Sequence, residues 1–293
     1  MRRTGRWTAA VLAGGLLLGA CSGADVEDAV DASPPDIDTY VALGDSYTAG
    51  PLIPETDIAD GCFRSDGNYP ALVAERLDID EVMDVSCSGA ATHDLNGRQS
   101  TAGQATVPPQ LRAVRPDTDL VTLGIGGNDF SLFHTLVSTC SQLRQQDPAG
   151  SPCADELDRR GVDLVARTDD IGDRVEVALR EIQRRAPDAT VVLVGYLRLA
   201  PSEGRCPDLS LAREDYEFGR EVAESLNAAL ARAARSTGVA FADMHSASED
   251  HDVCAEEPWV NGRHTVQGEA IAFHPFSSGM EAVADEVVEA VTG

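Results

Sequence analysis

Four short stretches of the chain place chemically able residues directly after apolar runs. The first, YVALGDSYTAG from Tyr40 to Gly50, breaks from an apolar run into Gly44-Asp45-Ser46. A hydroxyl delivered by a strand into a sharp, glycine-lined turn is the setting of an activated nucleophile, although Gly-x-Ser-x-Gly is absent. Taken alone, Ser46 also reads as an ordinary turn residue. The second stretch, DVSCSGAAT from Asp84 to Thr92, contains Gly89, whose backbone N–H no side chain shields; it also reads as a plain loop glycine. In the third, DLVTLGIGGNDF from Asp119 to Phe130, Gly126 and Gly127 let the backbone turn so that the Asn128 amide points back over the strand ends. A helix cap is the bland alternative for Asn128. The fourth, FHPFSSGME from Phe273 to Glu281, puts His274 on a loop stiffened by Pro275. Ser278 and Glu281 have capping-box spacing for a helix that follows. Five other histidines, at 93, 134, 245, 251 and 264, show that a loop histidine carries little by itself.

The elements that must position these residues alternate along the chain. Strand-like apolar runs lie at 39–43, 82–85, 119–125, 190–195 and 238–242, with helical stretches between them. Ile171, Val175, Leu179 and Ile182 recur at helical spacing, as do Phe218, Val222, Leu226 and Leu230, and then Met280, Val283, Val287 and Val291. These stripes read as helix faces buried on a core. Strands alternating with helices predict an α/β fold, a five-stranded parallel sheet covered on both faces in three α/β/α layers. Ligands in such sheets sit at the carboxyl ends of the strands, where three of the four stretches fall. The polar segment 140–160, closed by Cys140 and Cys153, reads as a stapled surface loop.

Together the four stretches resemble the sequence blocks of the SGNH (GDSL-type) hydrolases, a family of esterases and lipases with a flavodoxin-like fold. The likeness spans residues 39–293. YVALGDSYTAG, CSGA, GIGGND and EPWVNG are most similar to the secreted, disulfide-containing esterases and lipases of actinomycetes, and the lysine-free, alanine-rich composition fits a high-GC genome. The resemblance implies that Ser46 is the nucleophile and His274 its general base. It also implies an oxyanion hole made of the Ser46 N–H, the Gly89 N–H and the Asn128 side-chain amide. Many members carry an Asp three residues before the histidine; here that position is Ile271. The expectation is therefore a Ser46–His274 dyad, with the Ile271 main-chain carbonyl orienting the ring. Sequential disulfides Cys62–Cys87, Cys140–Cys153 and Cys206–Cys254 are implied by the same likeness; six cysteines alone would allow fifteen pairings. Trp259, in EPWVNG, either packs beneath the site or contacts substrate.

The N-terminus reads as export machinery. Arg2, Arg3 and Arg6 precede a short apolar stretch, Thr8 to Ala20, consistent with a signal peptide over 1–20. Leu18-Gly19-Ala20-Cys21 resembles a bacterial lipobox, in which Cys21 would be lipidated; ordinary cleavage nearby, giving a secreted protein, is the alternative. There are seven cysteines, and lipidating Cys21 leaves an even six for an oxidising compartment. Residues 21–38 are acidic and read as a tether, leaving 39–293 as one catalytic domain.

Composition narrows the partners. The net charge is −26, so nucleic acid and anionic surfaces should repel the chain. No His/Cys spacing fits a zinc site and no phosphate-cradling glycine loop is apparent. The reading is therefore a monomeric, membrane-anchored extracytoplasmic ester hydrolase. It should need no metal or other cofactor and should act on an ester substrate, with a lipid ester favoured. Within the class, a carbohydrate deacetylase or arylesterase is the rival. From another class, a non-catalytic surface-binding protein on a hydrolase scaffold is the rival.

Overall fold

A computed structural model describes residues 37–293. The expected signal peptide, the lipidation of Cys21 and nearly all of the tether lie outside these residues. Ile37 and Asp38, read with the tether, belong to the packed domain. Ile37 is buried, and the Asp38 carbonyl accepts from the Glu81 amide.

Five parallel strands form the central sheet: β1 (Thr39–Gly44), β2 (Glu81–Asp84), β3 (Leu120–Gly124), β4 (Thr190–Val194) and β5 (Ala240–Ala242). Their order is β2-β1-β3-β4-β5. This is the flavodoxin-like winding, whose ligand crevice opens where the order reverses, between β1 and β3. Register brings the ends of those two strands side by side, Gly44 opposite Gly124. The turns that follow them, carrying Ser46 and Asn128, are therefore neighbours. β1, β3 and β4 are almost wholly buried, as their unbroken apolar runs require of a sheet covered on both faces.

Helices supply the two covers. α2 (Tyr69–Leu77) packs with α6 (Ser277–Thr292), and α4 (Leu164–Arg185) packs with α5 (Asp215–Thr237). The predicted stripes are the buried faces: Ile171, Val175, Leu179 and Ile182 on α4, and Val222, Leu226 and Leu230 on α5. At about 25 cal/mol per Å², burying each such side chain contributes about 1.5–3 kcal/mol.

Two local expectations fail. Segment 140–160 is largely helical rather than a loop. A helical run over 132–143 continues through Cys140, and α3 spans Pro152–Arg160. Pro152 starts α3, where its missing N–H costs nothing, and Glu156 pairs with Arg159 and Arg160 one turn on. Cys140 and Cys153 are fully buried against the core. Ser278 caps nothing: α6 begins at Ser277 with Phe276 at its N-cap and no side-chain cap bond. The chain's entry is fixed instead by Phe276 N–H donating to the Trp259 carbonyl and by pairing of Val260 with Pro275.

Candidate active site

Ser46 is the first residue of the one-turn helix α1 (Ser46–Ala49), set directly on the end of β1. Asp45 caps that helix, its Oδ1 accepting from the Tyr47 amide at 2.9 Å. The turn fits only because residue 44 is glycine. A Cβ there would collide with Thr48 Oγ1 and lie 2.6 Å from the Gly124 carbonyl oxygen. Gln110 clamps the same glycine from the side, accepting from its N–H and donating to its carbonyl.

His274 comes from the opposite end of the sequence. Its Nε2 lies 2.7 Å from Ser46 Oγ and its Nδ1 lies 2.8 Å from the Ala272 carbonyl. A carbonyl only accepts, so Nδ1 carries the proton and Nε2 turns its lone pair to the serine hydroxyl. Among the described residues no carboxylate bonds either ring nitrogen. The orienting carbonyl is thus that of Ala272, not Ile271. The Ile271 carbonyl is taken by the His274 main-chain N–H at 3.2 Å and by Asn261 Nδ2 at 3.2 Å. Phe273, with φ 59°, reverses the chain so that the carbonyl two residues back faces the ring. Asn261 and Tyr47 hold this loop. The Asn261 N–H donates to the His274 carbonyl at 2.9 Å, and Tyr47 Oη donates to the Phe273 carbonyl at 2.7 Å. Burial disfavours the imidazolium and pushes His274 down to about 4, the Ala272 carbonyl opposing part of that shift.

Facing Ser46 are the two other loops. Among the described residues neither the Ser46 N–H nor the Gly89 N–H has a protein acceptor. Gly89 sits at φ 80°, a conformation that favours glycine, and a Cβ there would make only an ordinary contact, 4.0 Å, with Gln99 Nε2. Asn128 occupies an N-cap position but makes no cap bond. Its Nδ2 donates to the Ala90 carbonyl at 2.9 Å, leaving one amide proton without a partner. These are three unspent donors, and of the two other loops Asn128 lines the same cavity as Ser46 and His274.

Two residues that sequence reasoning missed hold these loops in place. Asp129, buried, accepts from the Thr92 N–H, the Thr92 hydroxyl and Arg174, tying the Gly89 loop to the Asn128 loop and to α4. Tyr196 follows β4. Its hydroxyl accepts from the Gly127 N–H at 2.8 Å and donates to Asp45 Oδ2. Burial pushes the Asp45 carboxyl up to about 7, while the bonds from Tyr196 and the Tyr47 amide pull it down. Tyr196 lies just past a strand end, which is the one signal that would have marked it.

A cavity of about 70 Å³ opens beside Ser46, Asn128 and His274, walled by Phe133, Val137, Leu199 and Phe273. Trp259 does not line it and is a packing residue, stacked on His251 with ring centroids 4.0 Å apart. The three disulfides join Cys62 to Cys87, Cys140 to Cys153 and Cys206 to Cys254. Cys87 stands two residues before Gly89, and the Ser88 N–H bonds the Cys62 carbonyl, so the first bridge steadies that loop.

A flavodoxin-order sheet with a serine and a histidine meeting at its switch point is the frame of an SGNH-type hydrolase, and the relatives make the chain a carboxylic ester hydrolase. The chain belongs to the GDSL-like Lipase/Acylhydrolase family, whose model matches residues 42–282. It is 34% identical over 297 residues to Lipase 2 of Streptomyces coelicolor, covering 96% of this chain and 95% of that one. Among solved structures it is similar to an extracellular lipase from Streptomyces rimosus, with TM-score 0.71 and 29% identity over 86% of this chain and 99% of that one. It is likewise similar to phospholipase A1 from Streptomyces albidoflavus, with TM-score 0.70 and 26% identity over 86% of this chain and 98% of that one.

Proposed function

We propose that the protein is an exported serine esterase of the lipase type that cleaves carboxylic esters through an acyl-enzyme on Ser46. The observation that carries this is the 2.7 Å contact between Ser46 Oγ and an unprotonated His274 Nε2. Nε2 takes the hydroxyl proton as Oγ attacks the ester carbonyl, and the ring later gives that proton to the leaving alcohol. The tetrahedral oxyanion is received by the Ser46 N–H, the Gly89 N–H and the spare Asn128 amide proton. Losing one such donor typically costs about 10²–10³ in rate. Water, deprotonated by His274, then releases the acid. The Ala272 carbonyl orients the ring as the acid of a triad would, so the catalytic pair is a dyad.

Lipid esters are the favoured substrates. The cavity walls are apolar and suit an alkyl chain, and the relatives' names point the same way. The cavity beside Ser46 is small, about 70 Å³, which favours short acyl chains. Export is supported by three disulfides, which persist in oxidising compartments, and anchoring through Cys21 by the lipobox-like sequence. The test is hydrolysis of p-nitrophenyl esters from acetate to palmitate by wild type and Ser46→Ala. The expected result is activity in the first and its loss in the second; undiminished activity in Ser46→Ala would overturn the mechanism.

A further inference from the structure

In a chain with 49 acidic residues against 23 basic ones, arginines should find carboxylates, and most of the other described ones do. Arg144, Arg205 and Arg213 do not: among the described residues none of them forms an ion pair. Instead they converge on one cavity of about 270 Å³, with Tyr216, Pro148 and Pro207 among its other walls and no acidic residue in its lining. Acids stand just outside it: Glu214 and Glu217 line the adjoining hollow with Arg220, and Asp208 lies close enough to Tyr216 to add to burial in pushing its hydroxyl's pKa up.

The three cations are held by stiff backbone. Arg144 ends the helical run four residues past Cys140, of the Cys140–Cys153 bridge, and its N–H bonds the Cys140 carbonyl at 2.9 Å. Arg205 adjoins Cys206, which is bridged to Cys254, and the single Tyr216 hydroxyl proton is shared between the Cys206 and Leu209 carbonyls on that loop, 2.7 and 2.6 Å away. The Arg213 N–H bonds the Pro148 carbonyl at 3.1 Å. The N-terminus of the 23-residue helix α5 opens beside Arg213, and Glu214 at its N-cap makes no side-chain cap bond. Several guanidinium forks around one hollow favour a tetrahedral oxyanion, with the carboxylates of Glu214, Asp215 and Glu217 confined to the N-cap and first turn of α5 beside it.

We propose that the Arg144–Arg205–Arg213 cavity binds a phosphate group, separately from the ester site. Val137, a wall of the catalytic cavity, and Arg144 lie seven residues apart on one helical run, roughly 10 Å at about 1.5 Å per residue. The two cavities share no lining residue, so the arginine cavity is separate from the place where the oxyanion of the reacting ester forms. It is near enough to fix how a phosphate-bearing molecule, or a surface made of them, meets the mouth of the site. The phosphate belongs either to an anionic lipid headgroup or to a soluble phosphate ester.

Inorganic phosphate titrated calorimetrically, and phosphatidylcholine vesicles with and without phosphatidylglycerol in a co-sedimentation assay, separate the two sources. Both are run on wild type and on Arg205→Ser/Arg213→Ser in phosphate-free buffer. For a headgroup site, phosphatidylglycerol raises the bound fraction of the wild type despite its net charge of −26. The double variant then loses that increment by on the order of tenfold, while its hydrolysis of p-nitrophenyl butyrate is unchanged. For a soluble ligand, phosphate itself binds saturably, the double variant weakens it, and phosphatidylglycerol adds nothing. The proposal is overturned if neither probe binds the wild type, or if the double variant binds both as the wild type does.

Discussion

The Tyr196→Phe substitution deletes one oxygen that serves two catalytic loops at once. That hydroxyl accepts the Gly127 N–H at 2.8 Å and donates to Asp45 Oδ2, and its residue is 2% exposed. Gly127 precedes Asn128 and Asp45 precedes Ser46, so the bond pair fixes the nucleophile against an oxyanion donor. The Tyr196→Phe variant would bury an unpaired N–H and a carboxylate short of one donor, about 1–3 kcal/mol each, or roughly 2–6 kcal/mol together. At about 2–4 °C per kcal/mol for a domain of this size, Tm should fall by roughly 4–24 °C. The catalytic loss should be separate and larger than stability alone explains. Misaligning one oxyanion donor by part of its full worth predicts kcat lower by on the order of 10- to 100-fold, with KM changed little. Steady-state hydrolysis of p-nitrophenyl butyrate well below the variant's Tm reads this directly. A variant whose Tm falls while kcat stays within about twofold of wild type would show that Tyr196 only packs, and the linkage between loops would be refuted.

Two further outcomes follow from the same geometry. Because burial holds His274 near 4, kcat/KM should stay flat from mildly acidic to neutral pH and fall about tenfold per unit only as pH drops through that value. An acid limb at or above the ordinary histidine value would contradict the buried, neutral base. The small cavity predicts that kcat/KM rises roughly fourfold per methylene, at ~0.8 kcal/mol each, only until the space fills. Phe133→Ala should move the preferred chain to longer esters, and Val137→Phe should cut butyrate turnover while sparing acetate. An unchanged chain-length profile in both variants would place the acyl chain elsewhere.

What the sequence made legible was whatever depends on local apolar runs and on residue type at strand ends. All five strands of the central sheet begin within about two residues of their expected starts, and the helical stripes are buried apart from Phe218 and Val291, which are half-buried. Ser46 and His274, 228 positions apart, lie within 2.7 Å of each other. The misses have physical causes. The choice between the Ile271 and Ala272 carbonyls is set by the positive φ of Phe273, which its residue type does not advertise. Tyr196 acts through a hydroxyl on a side chain that reads as core. Segment 140–160 is polar on its exposed side, and its burial of Cys140, Cys153 and Leu157 shows only once the helices are in place.

The central claim is that Ser46 is the residue acylated during turnover. Mass spectrometry of the protein after reaction with an alkyl fluorophosphonate tests it most directly, with wild type and His274→Ala compared. The account predicts a single phosphonylated peptide carrying Ser46 in the wild type, and labelling slowed by on the order of a hundredfold or more without the His274 base. Modification of a different serine, or equally fast labelling of Ser46 in His274→Ala, would contradict it.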